Sequence, residues 1–182
     1  IQPNAKAGDL KFNDHDGNGK IDDGDRQYCG SATPKYTFSL SGGFTWKDLS
    51  FSAMLQGVAG AQAMNVAKCM SLSDVEGNFN RDARILDAWS ETNRDSNIPR
   101  LSKNDPNNNF STASDWYLEN ASYLRLKNVT VSYDLTNILR KCAHFNSRNS
   151  RLSVYVSGEH LFTITDYTGI DPECGGWDAM RY

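Results

Sequence analysis

The sequence predicts an antiparallel all-β chain, and three observations carry that reading. Apolar and polar residues alternate strictly from Lys35 to Gly57, and alternation returns in Tyr123–Leu135 and Arg151–Thr163. A period of two is the mark of a strand with one greasy face. The stretches between are rich in Asp, Gly and Asn, residues that make turns and loops. Hydrophobic residues are only 38% of the 182, which suits strands joined by long polar loops better than a large dry core.

Residues 1–34 form the first loop region. It opens on Ile1-Gln2-Pro3-Asn4, which reads as the interior of a longer protein. Within it, Asp14-His15-Asp16-Gly17-Asn18-Gly19-Lys20-Ile21-Asp22-Asp23-Gly24-Asp25 fits a twelve-residue calcium loop. Asp14, Asp16 and Asn18 supply side-chain oxygens at positions 1, 3 and 5, Lys20 its carbonyl at 7, and Asp22 and Asp25 oxygens at 9 and 12. Gly19 stands at position 6, where the chain turns sharply, and Ile21 at position 8 is an inward apolar anchor. Carboxylates this dense repel one another unless a hard cation collects them, so Ca2+ is the expected cofactor. Position 12 is Asp rather than Glu, and only Gly8-Asp9-Leu10-Lys11-Phe12 precedes the loop where an EF-hand would place a helix. A structural clamp is therefore expected rather than a sensor. An acidic turn that binds nothing is the competing reading.

Residues 35–57 are the predicted hairpin. Tyr36, Phe38, Leu40, Gly42, Phe44 and Trp46 share one parity, with Leu49, Phe51, Ala53, Leu55 and Gly57 beyond a Lys47-Asp48 turn. A two-residue turn sets Trp46 opposite Leu49 and brings both apolar sets to one face. Such a ribbon has two environments. In a soluble sandwich the apolar face meets another sheet; in a transmembrane barrel it meets lipid and the polar face turns inward. Tyr36–Trp46 has the length of a tilted spanning strand, with aromatic residues at both ends.

Residues 58–122 read as one long loop, with a short helix over Asn80–Trp89, Asn80 its N-cap and Ile85, Leu86 and Trp89 on one side. Pro99 and Asn107-Asn108-Asn109 break structure beyond it. Residues 123–163 are a strand pair. In the first strand, Val129, Val131, Tyr133 and Leu135 share one parity, and Leu124 and Leu126 the other. The slip near Lys127-Asn128 marks a bulge or the point where the strand leaves a bilayer. A helical turn is expected at Asn137–Cys142 in the 136–150 connection, and residues 164–182 form a terminal loop.

The connections are long before Lys35, short at Lys47-Asp48, long through 58–122 and moderate at 136–150, an alternation like that of outer-membrane barrels with long extracellular loops and short periplasmic turns. That pattern places the acidic loop and 58–122 outside, and Lys47-Asp48 and 136–150 in the periplasm.

Charge narrows the function classes. Formal net charge is −3, and Asp14–Asp25 holds five acidic residues and one lysine, so the acidity belongs to one site. No basic cluster suggests nucleic acid. Cys29, Cys69, Cys142 and Cys174 are far apart without a CxxC pair; they do not read as a zinc site, and isolated thiols are expected, with one disulfide in an oxidising compartment as the alternative. No secretory signal opens the chain, and no apolar run approaches the ~18 residues of a membrane helix. An enzyme is not expected: His15, His144 and His160 are scattered, with no nucleophile–base pairing. Trp89, Trp116 and Trp177 could stack on sugar rings, but packing or interfacial anchoring is the expected role. The sequons Asn120-Ala121-Ser122 and Asn128-Val129-Thr130 are read as chance matches.

Several stretches, in order, carry a family resemblance. Ser114-Asp115-Trp116 followed by Asn120-Ala121-Ser122-Tyr123-Leu124-Arg125-Leu126-Lys127-Asn128-Val129-Thr130 resembles a conserved run of the SusC/RagA-type TonB-linked outer-membrane transporters. So do Tyr155-Val156-Ser157-Gly158-Glu159-His160-Leu161-Phe162-Thr163, Tyr167-Thr168-Gly169-Ile170-Asp171-Pro172-Glu173, Gly8–Phe12, Pro34-Lys35-Tyr36, Gln56-Gly57, Trp89 and Pro99-Arg100-Leu101. The family usually has Gly where Ala121 stands and Asn where His160 stands. The resemblance implies the C-terminal part of a large transmembrane β-barrel in the Gram-negative outer membrane, over the whole of 1–182. It implies import of a glycan, peptide or similar large nutrient, a SusD-type surface lipoprotein as lid, and TonB engaged through an N-terminal region not in this sequence. Plug, TonB box, most strands and the closing strand are also not in it, so the remainder of the barrel and membrane lipid are implied partners. No substrate-binding residue carries over. The alternative is a soluble calcium-bound β-domain, a glycan-binding or adhesion module; the acidic loop also resembles a single dockerin repeat. The two differ in whether Tyr36, Phe38, Phe44, Val129, Val131, Val154 and Val156 face lipid or a second sheet.

Overall fold

The computed structural model describes residues 1–73, 80–142 and 151–173. It is mainly antiparallel sheet with little helix, as predicted. Two compact units are formed. One comprises Thr33–Ala61 and Ala121–Asp166; the other comprises Ile1–Ala32, Gln62–Asn120 and the chain from Tyr167.

The first unit is a four-stranded sheet. Its strands are β1 (Tyr36–Trp46), β2 (Leu49–Ala59), β5 (Tyr123–Asp134) and β6 (Ser153–Thr165), in the order β1-β2-β5-β6. All neighbours are antiparallel. Lys47 and Asp48 make the expected turn, with Trp46 opposite Leu49. Lys47 takes a left-handed φ of 54°, which suits a tight hairpin. A short helix α2 (Thr136–Cys142) follows β5, one residue earlier than the sequence suggests. Thr136 is drawn in by its N–H to Asp134 Oδ1 (2.9 Å).

The parity slip in β5 is a bulge. Register shifts occur between Met54 and Leu55 against β2, and between Leu126 and Asn128 against β6. Lys127 is the extra residue. It returns Leu124 and Leu126 to the same face as Val129, Val131 and Tyr133, because they stand opposite Gly57 and Leu55. On β6 the register skips His160 and Leu161, and His160 has φ 49°. Asn and His are among the residues that enter this left-handed region at modest cost. The exchange of Asn for His at this position therefore has a backbone reason.

The second unit is built from loops around small elements. β3 (Gln62–Met64) pairs with β4 (Leu118–Asn120), and helix α1 (Val66–Leu72) follows β3. Asn65 caps α1 through its side chain, which accepts from Lys68 N–H (3.1 Å). Residues 58–122 thus hold more structure than a loop: β2 runs on to Ala59, and β3, α1 and β4 are too short to show periodicity. The expected helix over Asn80–Trp89 is corrected. A 3-10 helix spans only Ala83–Asp87, and Asp82, not Asn80, caps it by accepting from Arg84 N–H. Leu86 is 85% exposed. Five residues at three per turn cannot gather Ile85, Leu86 and Trp89 on one side. Leu72, Phe110, Tyr117 and Tyr167 are buried in this unit.

Candidate functional site: an acidic cation loop and a two-faced sheet

The acidic loop folds around its own carboxylates. Asp14 receives Gly17 N–H on Oδ1 (2.8 Å) and Gly19 N–H on Oδ2 (2.9 Å). Both glycines have left-handed φ, 72° and 81°, which lets their N–H groups turn back. Asp25 receives His15 N–H on Oδ1 (2.7 Å) and Asp22 N–H on Oδ2 (2.9 Å), closing the loop end to end. The Asp22 N–H, with those of His15 and Asp16, holds the Asp25 carboxyl below the usual carboxylate range against a smaller desolvation effect. Gly24 lies so close to Asp16 and Asp22 that an added Cβ would fall 2.7 Å from Asp16 Oδ2.

Oxygens of Asp14, Asp16 and Asp25 converge within 4.8 Å of one another. Oxygens bound to one calcium ion, each at about 2.4 Å, span up to about 5 Å, so this donor set fits. Asn18 is oriented differently. Its Oδ1 accepts Lys20 N–H (2.8 Å), and its amide nitrogen donates to Asp16 Oδ2 (2.9 Å) and Asp22 Oδ2 (3.1 Å). A half-turn of that amide presents oxygen to the cluster instead. Asp22 caps the 3-10 turn Asp23–Asp25 through Gly24 N–H and stands outside the three-carboxylate cluster.

Behind the loop is a polar clamp that sequence reasoning missed. Asn109 is fully buried: its Oδ1 accepts Leu10 N–H (2.9 Å) and its amide donates to Asp9 Oδ1 (2.9 Å). Asn107 donates to Leu10 C=O (3.0 Å), and Gln2 accepts Phe12 N–H (2.9 Å). Arg100 pairs with Asp9 at 2.9 Å. Burial alone would raise the Asp9 pKa, but Arg100, Asn109 and the Lys6 N–H overcome it and hold it low. Asp105, itself buried, accepts Asn109, Phe110 and Ser111 N–H groups. The run Asn107-Asn108-Asn109 therefore ties residues 2–12, the approach to the acidic loop, to the 100–111 segment. In sequence it shows only as a turn signal, because Asn side chains announce local hydrogen bonding and not a distant partner.

A second, half-buried polar cluster surrounds Glu119. Burial would raise its pKa, but Thr168 N–H and hydroxyl, Asn65 and Lys68 together lower it. Lys68 Nζ also lies 4.1 Å from the Trp116 ring centroid, and Trp116 donates to Asn97 C=O. Trp89 covers Gly8 so closely that an added Cβ would meet its ring. Both rings are held by the protein, in keeping with the packing role expected of them. Cys29 is a free, exposed thiol. Cys174, His144, Trp177 and the side chains of Cys69 and Cys142 lie outside the described residues.

The sheet has two opposite faces. One carries Tyr36, Phe38, Leu40, Phe44 and Trp46 of β1, Leu49, Phe51 and Leu55 of β2, Leu124, Leu126, Val129, Val131 and Tyr133 of β5, and Val154, Val156, Phe162 and Ile164 of β6. Glycines and alanines complete it. The other is mainly polar: Thr37, Ser39, Ser41 and Thr45, then Ser50, Ser52 and Gln56, then Arg125, Asn128, Thr130 and Ser132, then Ser153, Ser157, Glu159 and Thr163, with Met54, Val58, Tyr123 and Tyr155 among them. The apolar face is open: Tyr36 is 72% exposed, Phe38 54%, Phe44 59% and Val156 74%. Fully burying one such side chain is worth about 1.5–3 kcal/mol. Leaving the whole face in water forgoes an amount comparable with the ~5–15 kcal/mol stability of a domain. Among the described residues, no second sheet seals these rings.

No family model matches the chain. It is similar to the TonB-dependent receptor P3 of Formosa agariphila, 33% identical over 174 residues, which are 95% of this chain and 16% of that protein. It is 29% identical over 180 residues to the TonB-dependent receptor SusC of Bacteroides thetaiotaomicron, over 98% of this chain and 17% of that one. The chain thus spans a small part of the length of these relatives. Among solved structures it superposes on the RagAB peptide transporter with a TM-score of 0.66 and 31% identity, over 86% of this chain and 17% of that chain. The RagAB peptide importer in its "closed-closed" state gives 0.63 and 30%, over 87% of this chain and 18% of that one.

Proposed function

We propose that this chain, a segment of the SusC/RagA type of TonB-dependent receptor, supplies four adjacent strands to the wall of an outer-membrane barrel that imports a large nutrient. The single observation behind this is the sheet with one continuous, exposed apolar face and one polar face. Its strands have 11, 11, 12 and 13 residues, enough for tilted spans of about 9–11. The apolar face meets acyl chains and the polar face lines the interior. β1 and β6 are the edges of this sheet. An open ladder in hydrocarbon costs several kcal/mol per unsatisfied group, so strands from the rest of the receptor complete the wall.

The cargo is a peptide or a glycan; the RagAB neighbour is a peptide transporter by title. A SusD-type surface lipoprotein closes the outer side, and TonB supplies energy from the periplasm. The acidic loop holds Ca2+ through Asp14, Asp16 and Asp25, joined by Asn18, the Lys20 carbonyl and Asp22 when the loop tightens. Supporting this are the 4.8 Å convergence of the three carboxylates and the two left-handed glycines. The ion is a clamp that stiffens an extracellular segment already tied down by Asn107 and Asn109. In cells carrying the intact receptor, fractionation is expected to place it in the outer membrane. Uptake of a fluorescent oligopeptide or oligosaccharide is expected to stop when TonB is deleted. Recovery in the soluble fraction, or uptake indifferent to TonB, would sink the proposal.

A further inference from the structure

The two short connections leave the same end of the sheet, where Trp46, Leu49, Tyr133 and Val154 form the last apolar row. Both carboxylates of this end are already engaged. Asp48 Oδ1 accepts from Asn137 (2.9 Å), and Asp134 Oδ2 accepts from Arg151 (2.8 Å). Lys47, Arg140 and Lys141 are exposed and have no carboxylate partner among the described residues. Lys47 Nζ lies 4.8 Å from the Trp46 ring centroid, which puts a cation directly at the rim of the apolar face. Trp46 is 64% exposed, Tyr133 40% and Ile138 of α2 44%.

Amphipathic aromatic rings settle at the head-group level of a bilayer, and cations just beyond that level meet lipid phosphates. We infer that this end of the sheet binds anionic phospholipid of the phosphatidylglycerol class in the leaflet facing the periplasm. Lys47, Arg140 and Lys141 hold the phosphate, and Trp46, Tyr133 and Ile138 seat the glycerol and upper acyl chains. The α2 helix sets its cations at the head-group plane because it begins two residues after the β5 strand ends. Charge complementarity selects the occupant: among the described residues at this end, Lys47, Arg140, Lys141 and Arg151 outnumber Asp48 and Asp134, so the net charge is positive. The inference rests on the membrane reading above and adds to it an orientation and a lipid class.

Native mass spectrometry of the intact receptor in mild detergent tests it, with phosphatidylglycerol and phosphatidylethanolamine offered at equal concentration. Preferential retention of phosphatidylglycerol is expected. Lys47→Gln/Arg140→Gln/Lys141→Gln is expected to weaken that retention by at least roughly tenfold, while Lys47→Arg/Arg140→Lys/Lys141→Arg preserves it. Equal retention of both lipids, undiminished retention by the glutamine variant, or equal loss in both variants would overturn the inference while leaving the transporter reading intact. Offering lipid A as a third probe separates the leaflets. If this end prefers lipid A and loses it in the glutamine variant, it faces the outer leaflet and the inference fails. A receptor that never partitions into membranes refutes both readings.

Discussion

At the scale of single residues, the acidic loop combines repulsion with preorganisation. Asp14 accepts two backbone N–H groups and Asp25 three, which fixes their rotamers. Asp25 is held below the usual carboxylate range by those N–H groups against a smaller desolvation effect. Isothermal titration with CaCl2 is expected to show a single site in the intact protein, weakened more than roughly tenfold by Asp14→Ala, which removes a charged ligand and frees the Gly17 and Gly19 N–H groups. A titration unchanged by Asp14→Ala would dismiss the assignment. The convergence of Asp14, Asp16 and Asp25 was legible in sequence because the loop that joins them is local. The orientation of the Asn18 amide was not, since it depends on whether Lys20 N–H or a cation claims its oxygen.

At the scale of elements, one residue sets the faces of a strand. Lys127 lets Leu124 and Leu126 join Val129, Val131 and Tyr133 although their parities differ. Deleting Lys127 would turn one half of β5 over, driving Leu124 and Leu126, or Val129 and Val131, to the polar side. Deletion is expected to abolish heat-modifiable barrel migration on electrophoresis, whereas Lys127→Ala, which keeps the count, is expected to retain it. Equal migration of both would refute the bulge as the device that sets the faces. The sequence showed that parity changed near Lys127 but left two explanations, because a bulge and a strand exit look alike until partner strands are paired. The 3-10 helix at Ala83–Asp87 was over-read for a similar reason: a few apolar residues at near-helical spacing do not fix length or pitch.

At the scale of the whole molecule, the proposed membrane setting gives the two faces of the sheet different neighbours, lipid on the apolar side and the barrel interior on the polar side. The middle apolar row is Gly42, Ala53, Val129 and Gly158, and the next residue, Thr130, points to the polar face. Val129→Arg is expected to destabilise the membrane-inserted receptor by about 2–4 kcal/mol, the cost of Arg near a bilayer midplane. Thr130→Arg, facing the interior, is expected to cost far less. Urea unfolding from liposomes measures both, and a Thr130→Arg loss as large as that of Val129→Arg would reverse the assigned faces.

The sequence by itself determined what nearest neighbours along the chain can encode. The alternation of β1 and β2, the Lys47-Asp48 turn that phases them, and the clustering of acidic residues from Asp14 to Asp25 are all written within short spans of the chain. Tertiary structure alone decided what distant residues settle together. It showed that Lys127 is an extra residue because β2 and β6 both skip it, and that Asn107 and Asn109 hold Asp9 and Leu10 roughly a hundred positions away. It also showed that, among the described residues, no second sheet covers Tyr36, Phe38 and Phe44. Period and propensity are local quantities, while register, buried hydrogen bonds and the environment of a face are set by which segments meet.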